Sequence, residues 1–515
     1  MTATPSGRLY HGADWDFSIL QRVHDACEEI ALGELGLNVY PNQIEVITAE
    51  QMLDAYSSIG MPLFYKHWSF GKHFAHHEAF YRRGLKGLAY EIVINSSPCI
   101  SYLMEENTAT TQTLVIAHAA FGHNHFFKNN YLFKLWTDAE GILDYLNFAK
   151  GYVAKCEERH GQVAVERTLD AAHALMSHGV HRYPGKKKLD LRQEEKRERE
   201  RRAYEEHVFN DLWRTVPAGP GKSASELSVE RRRALLGLPQ ENILYFLEKS
   251  APRLQPWQRE LLRIVRHIAQ YFYPQGQTKV MNEGAATYVH YRIMTRLHEQ
   301  GRISDGDFLE FLQSHTNVVF QPGYDDQRFS GFNPYALGFA MMQDIERIVS
   351  EPGDEDREWF PDIAGVEDVM AVLREIWANY RDESFIGQFL SPRLMRHLRM
   401  FHLHDDPDDS AGIKVEAIHD ERGYRRIRRQ LARQFDVGWT DPNIEVVDVD
   451  LAGDRRLLLR HTVVQGALLD ETDAKRVLQH LADLWSYDVL LREVDAADSV
   501  IKEHVASPRE AALAA

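Results

Sequence analysis

The chain has 515 residues, of which 44% are hydrophobic, and carries a formal net charge of −16 at pH 7. This length and composition can bury a substantial core in one to three domains, which argues against a disordered protein. The acidic balance argues against a protein that binds nucleic acid through general attraction to phosphate.

The cysteines and the apolar segments indicate a cellular location. Cys27, Cys99 and Cys156 show no CxxC spacing, which favours a reducing compartment and argues against a disulfide framework or a cysteine-based zinc cluster. Residues 1–15 lack the basic and apolar regions of a signal peptide, and no segment reaches the roughly 18 consecutive apolar residues of a membrane helix. We therefore expect a cytoplasmic protein without membrane insertion.

The first part of the chain predicts helices around a short strand. Apolar patterning predicts a helix over residues 14–35 and a second helix that begins near Ala49. The β-branched and aromatic residues at 87–95 predict a strand. We expect a short helix at 100–106 and a longer one at 110–127, the histidine helix, which carries three histidines.

The middle of the chain continues the helical pattern. The mixed charges of residues 186–206 predict a solvated helix or linker to which we assign no chemistry. Helical patterning resumes over 241–273, where Pro256 suits a helix start and Pro274 is expected to end the helix. The main domain is therefore predicted to be mostly α-helical.

The last hundred or so residues predict a different architecture. Strands are predicted at 412–419, 444–451, 455–465 and 487–493, and helices at 420–434 and 472–484. This β-α-β-β-α-β order is that of a ferredoxin-like module, which implies no particular activity. The fold class is therefore predicted as α+β, with a helix-rich domain over 1–405, a ferredoxin-like domain over 406–500 after an acidic linker, and a tail over 501–515.

Two short segments together contain the residue types of one metal site. Residues 117–125 carry His118, His123 and His125, and residues 281–290 carry Glu283. Imidazoles and a carboxylate together can hold a divalent transition metal. We therefore expect the two segments to meet.

The spacing of the first two histidines is unusual for a metal-binding helix, which normally presents them at i and i+4. On a regular helix, five steps of about 100° leave His118 and His123 roughly 140° apart. We therefore predict a π-bulge, which returns both to one face, with Gly122 allowing close approach. In the alternative, the helix ends at Gly122 and the histidines cap it or satisfy buried carbonyl groups.

The second segment resembles a run in which gluzincin metallopeptidases, which are zincin-like enzymes, place their third zinc ligand. That run is Asn-Glu-Gly-x-Ala-x-Tyr, and it matches residues 282–288. The resemblance implies a zinc site formed by His118, His123 and Glu283. In the gluzincin motif the residue after the first histidine is the general base, whereas here it is Ala119.

Another carboxylate would then have to act as the base. Glu91, on the predicted strand, and Glu105 and Glu106, before the histidine helix, are the candidates. His290, seven residues beyond Glu283, is a candidate partner of a ligand or proton donor. The alternative for His290 is a helix-face histidine with a backbone or carboxylate neighbour.

Further histidines and polar residues compete for roles at such a site. His173 either joins the site or packs in the core or at a helix end near Gly179. Residues 129–130 and 381–383 either support a cleft or satisfy backbone groups at helix ends. The remaining histidines that cluster in the sequence are His67, His73, His76, His77, His178 and His181.

Longer strings resemble the stage V sporulation protein R family over nearly the whole chain. They lie at residues 69–72, 87–96, 121–130, 256–260, 278–284 and 379–385. One departure is Ala285, where many relatives have tryptophan. The resemblance implies a role in stress, stationary-phase or sporulation physiology, with a PrkA-type serine kinase and a von Willebrand-type-domain protein as partners.

Two hypotheses about function follow. The first is a metal-dependent hydrolase acting on an amide or peptide bond, with a metal-bound water as the nucleophile. The second is a non-catalytic regulatory or scaffold protein in which the site is structural and the C-terminal module binds a partner such as the kinase. Nucleotide binding is less favoured because no P-loop or GxGxxG fingerprint is present.

Overall fold

The computed structural model describes residues 7–57, 65–68, 91–182, 236–324, 326–405, 413–417, 419–450, 453–464 and 466–509. The predicted charged linker at 186–206 and the histidines at 73, 76 and 77 lie outside these residues. The contacts divide the chain into two compact units. The first contains Met1–Lys150 and Pro274–Asp436, and the second contains Gly151–Tyr273 and Val437–Ala515, so this division does not follow the boundary expected near residue 406.

Helices account for most of the described elements. From the N-terminus to residue 178 the elements are α1 (Phe17–Glu28), a π-helical turn (Glu29–Glu34), β1 (Asn42–Ile47), α2 (Ala49–Ser57), β2 (Glu91–Ile94), β3 (Cys99–Met104), α3 (Ala109–Ile116), a π-helix (Ala117–His123), α4 (Asn124–Asn129), α5 (Tyr131–Trp136), α6 (Ile142–His160), α7 (Gln162–Ala174) and a 3₁₀ turn (Met176–His178). From residue 243 to residue 397 they are α8 (Ile243–Ser250), α9 (Pro256–Gln277), α10 (Lys279–Glu299), α11 (Asp305–Val318), α12 (Pro334–Ser350), α13 (Asp354–Trp359), α14 (Val369–Asn379), α15 (Asp382–Phe389) and α16 (Pro392–His397). The rest of the chain contributes β4 (His402–Asp405), β5 (Ile413–Ala417), α17 (Glu421–Gln434), α18 (Val437–Thr440), β6 (Ile444–Val449), β7 (Leu457–Thr462), α19 (Glu471–Trp485), β8 (Val489–Val494) and β9 (Val500–Ala506). None of the helices among these described residues is long and apolar enough to cross a membrane.

Side-chain caps fix the starts of the helices around the candidate site. The Thr108 hydroxyl accepts a hydrogen bond from Thr111 N at 3.1 Å before α3. Ser304 and Asp307 form a reciprocal capping box at the start of α11. Asn333 caps α12, and Pro334 occupies its first turn. Each cap satisfies backbone N–H groups that have no partner within the helix.

A three-stranded sheet lies next to the histidine helix in the first unit. Its order is β1-β3-β2, with β3 parallel to β1 and antiparallel to β2. The helix expected at 100–106 was wrong, because β3 runs from Cys99 to Met104. The apolar sequence of this segment is compatible with a helix or a strand. It forms a strand because it is hydrogen-bonded to a neighbouring strand on each side.

Glycines bring three helices of the first unit close together, with α10 in the middle. A Cβ atom on Gly122 would lie 2.6 Å from Ala286 Cα, so the π-helix and α10 are in backbone contact. A Cβ atom on Gly284 would lie 2.5 Å from the carbonyl carbon of Gly338, which brings α12 against another side of α10. Larger residues at these glycines would force the helices apart.

The helix expected to stop at Pro274 is longer than predicted. α9 continues to Gln277 with Pro274 inside it. The Thr278 hydroxyl donates to the carbonyl of Pro274 at 2.8 Å just beyond the helix end. A proline removes one backbone donor, but here it does not stop the next three residues from remaining helical.

The C-terminal elements differ in grouping from the predicted ferredoxin-like module. The strand and helix expected at 412–434 are β5 and α17, and β5 pairs with β4 within the first unit. The second unit contains a four-stranded sheet in the order β6-β7-β8-β9, with β7 parallel to β8 and the other pairs antiparallel. The ferredoxin-like arrangement is therefore not the one in the structure.

The fourth strand of that sheet lies in the segment expected to be a tail. The backbone N–H of Asp495 donates to the carbonyl of Ser499 at 3.0 Å and closes the turn between β8 and β9. The Asp495 carboxylate accepts a hydrogen bond from Ala497 N in the same turn. This turn directs β9 back along β8, which gives it a partner for its backbone hydrogen bonds.

Candidate metal centre

The histidine helix contains the predicted π-helical segment. α3, the π-helix and α4 follow one another without a break in helical backbone geometry. The wider turn places His118 and His123 together, with ring centroids 4.5 Å apart and ring planes at 85°. His125 has a different environment, because Asn38 N donates to its Nδ1 at 2.9 Å. The alternative in which the helix ends at Gly122 is wrong.

Two carboxylates approach the Nε2 atoms of these histidines. Glu283 Oε2 lies 3.5 Å from His123 Nε2 and 3.8 Å from His118 Nε2. Glu91 Oε1 lies 3.7 Å from His118 Nε2. These separations exceed ordinary hydrogen-bond lengths. They are close to the roughly 3.3–3.5 Å between donors that bind one tetrahedral zinc ion at about 2.0–2.1 Å.

One carboxylate oxygen of the cluster is buried without a donor. Glu283 Oε2 has no hydrogen-bond partner among the residues that the structure describes. An ionised carboxylate only accepts hydrogen bonds, and leaving it unsatisfied in the interior is costly. A cation between Glu283, His118 and His123 would remove this cost. The side chains of the cluster therefore fit a divalent metal.

The second nitrogen of each histidine is held by a neighbour on α10. His123 Nδ1 lies 2.9 Å from Asn282 Oδ1, and this oxygen is an acceptor, so the proton is assigned to Nδ1 and the Nε2 lone pair faces Glu283. His118 Nδ1 lies 2.9 Å from His290 Nδ1. Such partners commonly orient histidines that bind metals.

Burial and neighbouring charge shift the pKa values of the cluster. Burial, reinforced by the charge of His118, lowers the pKa of His123 to about 4. Burial opposes ionisation of Glu283, but contacts with His123, His118 and Tyr335 outweigh it and hold its pKa below the usual value. His123 is therefore neutral and Glu283 is ionised at neutral pH, which are the forms that bind metal ions.

The pKa values of Glu91 and His118 are both raised, whereas those of Glu283 and His123 are lowered. Burial raises the pKa of Glu91, and the charge of Glu283 adds to the effect. Burial lowers the pKa of His118, but the carboxylates of Glu283 and Glu91 outweigh it, so the pKa is raised overall. A proton shared by these groups is the expected consequence of packing two acids around one imidazole.

The structure separates the carboxylates considered as a base. Glu91 begins β2 and lies in the cluster. Glu105 and Glu106 are exposed, and Glu106 Oε1 accepts a hydrogen bond of 3.4 Å from Ala49 N at the start of α2. The structure therefore brings Glu91, and not Glu105 or Glu106, to the histidines.

Two residues at the cluster were not anticipated from the sequence. Tyr335, on α12, contacts Glu283 and has its ring stacked near that of His118, with centroids 6.4 Å apart. His315, on α11, has Nδ1 3.0 Å from His290 Nε2. Neither lies in a recognisable motif, and the only sequence signal is the Asn333-Pro334 cap that sets where α12 begins.

The start of α10 is anchored by a buried carboxylate on α15. Asp382 accepts hydrogen bonds from Val280 N and Met281 N, each at 2.8 Å. Burial raises the pKa of Asp382 to about 7, although these N–H groups oppose the shift. Asn130 similarly donates to carbonyl groups at the end of α14. These polar residues therefore satisfy helix ends, and Asp382 also fixes the helical turn that carries Glu283.

Three other candidate histidines, His173, His178 and His181, belong to the second unit. His173 is on α7 in the second unit. His178 lines a mainly aliphatic cavity of about 280 Å³ in that unit, and burial lowers its pKa to about 4. His181 pairs with Glu241 at 3.6 Å. None of these three described residues is part of the candidate metal centre of the first unit.

Two family profiles match most of the chain. The profile described as "SpoVR like protein" matches residues 14–440, and the profile described as "SpoVR-like C-terminal domain" matches residues 442–496. The chain is similar to "Uncharacterized protein YcgB" of Escherichia coli (strain K12), with 52% identity over 493 residues, which cover 96% of this chain and 95% of that protein. No solved structure gives a significant match. The resemblance noted in the sequence is therefore confirmed, and the chain belongs to the SpoVR family.

Proposed function

We propose that this SpoVR-family protein is a metal-dependent hydrolase that cleaves an amide or peptide bond. Zinc is the proposed metal, and His118, His123 and Glu283 are its proposed ligands. The observation that carries the proposal is the approach of two imidazole nitrogens, His123 Nε2 at 3.5 Å and His118 Nε2 at 3.8 Å, to a Glu283 carboxylate oxygen that has no hydrogen-bond partner among the described residues.

The donor set supports catalysis because zinc enzymes commonly use three protein ligands and leave one position open. A divalent metal there would polarise a carbonyl group and lower the pKa of a bound water. The His123–Asn282 hydrogen bond presents the Nε2 lone pair to the site. Glu283 is held by the anchored start of α10 and by its contact with Tyr335.

Glu91 is the proposed general base. Ala119, in the position that gluzincins use for the base, is completely buried and has no ionisable group. Glu91 approaches from β2, and its side chain keeps 18% of its surface exposed, so it is accessible to water. Burial raises its pKa above the usual carboxyl value, which makes Glu91 a stronger proton acceptor than an exposed carboxylate.

A second candidate function follows from the same carboxylate. Glu91 Oε1 lies 3.7 Å from His118 Nε2, which is similar to the 3.8 Å between Glu283 Oε2 and the same nitrogen, and this distance supports a fourth ligand at Glu91. Four protein ligands are typical of structural zinc sites, which lack an open position. In that case the protein is a regulatory or scaffold protein, and a PrkA-type serine kinase and a von Willebrand-type-domain protein are its proposed partners.

The proposed setting is the cytoplasm, in stress, stationary-phase or sporulation physiology. The free, buried thiols of Cys27, Cys99 and Cys156 support a reducing compartment. The physiological role follows from the family resemblance.

Metal analysis of matched variants tests both candidates. The protein is purified without chelators or a histidine tag, and its metal content is measured for the wild type and for His118→Ala, His123→Ala and Glu283→Ala. We expect about one zinc per chain in the wild type and loss of zinc in all three folded variants. Absence of metal in the wild type would refute the hydrolase.

Glu91→Gln then separates the base from the fourth ligand. If Glu91 is the base, the variant keeps its zinc and loses about 10²–10⁴-fold in hydrolysis of a peptide or amide library. If the variant loses zinc, Glu91 is a ligand and the scaffold is favoured. Glu106→Gln is the matched control, because Glu106 is an exposed glutamate outside the cluster and its change should affect neither property.

A further inference from the structure

Three imidazoles form a buried row that begins at the metal centre. His118 on the π-helix, His290 on α10 and His315 on α11 are exposed by only 5%, 3% and 5% of their surfaces. His118 Nδ1 lies 2.9 Å from His290 Nδ1. On the other side of the ring, His290 Nε2 lies 3.0 Å from His315 Nδ1. His290 therefore uses both ring nitrogens in the row.

The chemistry of neutral imidazole permits only two proton arrangements along this row. Each neutral ring has one N–H donor and one acceptor nitrogen. In the first arrangement, His118 Nδ1 donates to His290 Nδ1, and His290 Nε2 donates to His315 Nδ1. In the reverse arrangement, each hydrogen bond points the other way, and the proton of His118 is on Nε2.

Only the first arrangement leaves His118 able to bind a metal. Its Nε2 lone pair then faces Glu91 and Glu283, whereas the reverse arrangement directs an N–H group at those carboxylates. Most metal-binding histidines donate a hydrogen bond to a carboxylate or a carbonyl group. Such a group can only accept hydrogen bonds, so it fixes the histidine tautomer without help from other residues. His290 can donate or accept. The tautomer of His118 therefore depends on what His290 meets on its far side, which is His315.

We propose that His290 and His315 are positioning residues that hold His118 in its metal-binding tautomer through a directional row of hydrogen bonds. The inference rests on the metal centre of the proposed function and extends it to a residue on α11. Metal binding and the direction of the row are coupled. Zinc at His118 Nε2 requires the Nε2–H form of His290, and this form in turn requires an acceptor at position 315.

The surroundings of His315 allow this role to be separated from packing. Its ring lies among those of Tyr291, Phe311 and Phe339, with centroid distances of 5.3, 5.6 and 4.7 Å. His315→Leu keeps an apolar side chain among these rings but removes the acceptor for His290 Nε2–H. His315→Asn restores an acceptor, because its amide oxygen can occupy the position of Nδ1.

The matched control is a second histidine on α10. His298 stacks on Phe308 of α11, with centroids 4.2 Å apart. His290 similarly contacts an aromatic ring of α11, that of Phe311. His298 instead bonds to the exposed Asp305 at 2.8 Å and takes no part in the row. His298→Leu therefore tests the loss of a histidine between α10 and α11 without affecting the tautomer of His118.

The test measures zinc affinity by competition with a chromogenic chelator, using full-length protein that circular dichroism shows to be folded. We expect zinc binding to weaken about 10–100-fold in His315→Leu. His315→Asn and His298→Leu should stay within about threefold of the wild type. In ¹⁵N-histidine spectra of the wild type, zinc should select the Nε2–H tautomer of both His290 and His315, although His315 does not contact the metal.

The outcomes distinguish this inference from the proposed function. A wild type that binds no zinc refutes the metal centre, and the inference falls with it. Zinc binding in the wild type with unchanged affinity in His315→Leu overturns the inference alone. Equal losses in His315→Leu and His315→Asn also overturn it, because an acceptor would then not be what position 315 supplies.

Discussion

Replacement of Gly122 by alanine tests the backbone contact that brings the two halves of the proposed metal centre together. Gly122 lies on the π-helix between His118 and His123, and faces Ala286, three residues beyond Glu283. The added Cβ would lie 2.6 Å from Ala286 Cα and 2.8 Å from Ala286 Cβ. Carbon atoms in favourable contact are about 3.5–4.0 Å apart, so the π-helix and α10 must separate by roughly 1 Å.

The expected magnitude combines two opposing effects. Overpacking a well-packed core commonly costs about 1–3 kcal/mol. Alanine in place of glycine within a helix returns about 1 kcal/mol. We therefore expect Gly122→Ala to reduce the free energy of unfolding by up to about 2 kcal/mol. The separation should also move Glu283 away from His123, so zinc affinity should fall by more than the stability loss alone would suggest.

The assay compares Gly122→Ala with Gly33→Ala by differential scanning fluorimetry and by zinc titration. Gly33 also lies in a π-helical turn, but a Cβ there would meet nothing within 4 Å. Gly33→Ala should therefore be neutral or stabilising and should bind zinc like the wild type. If the two variants behave alike in both measurements, the close approach of the π-helix and α10 is refuted.

Two further substitutions test features outside the proposed zinc ligands. Asp382→Ala removes the acceptor of two buried N–H groups at the start of α10, so it should lower the free energy of unfolding in urea by about 2–5 kcal/mol. Asp382→Asn should lower it less. Equal stability of the alanine variant and the wild type would show that this anchor contributes nothing. Glu248→Gln should cost about 1–3 kcal/mol at pH 7, because the buried carboxylate contacts Arg263 and Arg266 at 3.1 Å. Burial opposes ionisation of Glu248, but Arg266, Lys249 and Arg263 outweigh it and lower its pKa. The stability that Glu248 contributes is therefore complete above its unfolded-state pKa of about 4.3 and is lost as the pH falls through its lower folded-state pKa. The unfolding curves of the wild type and Glu248→Gln should therefore converge in acid. A constant difference between them would contradict this assignment.

The π-helix could be predicted because metal binding sets a geometric condition on a known spacing. Two histidines five residues apart share a face only if one turn gains a residue, and the structure has that turn between His118 and His123. The motif at 282–288 likewise predicted that Glu283 lies near these histidines, and the structure has it 3.5 Å from His123 and 3.8 Å from His118. In both cases the local sequence contains the side chain and the backbone geometry that brings it to the cluster.

Other features depended on partners distant in the sequence. Residues 100–104 form a strand because β1 and β2 flank them, and neither pairing is encoded in the segment itself. Tyr335 and His315 reach the centre because α12 and α11 pack beside α10. Strand β9 could have been predicted only if the turn at Asp495 had been recognised as the turn of a β-hairpin. Side-chain chemistry near one position could be inferred, whereas contacts between distant helices could not.

The interrupted course of the first unit affects how the protein is made on the ribosome. His118 and His123 belong to the segment Met1–Lys150, whereas Glu283 belongs to the segment that resumes at Pro274. At typical translation speeds of about 5–20 residues per second, the histidines are synthesised roughly 8–30 s before Glu283. During that interval a nascent chain holds half of the centre, with the face of the π-helix that later covers α10 still unprotected. All three proposed ligands are therefore available to a metal only after α10 has been synthesised.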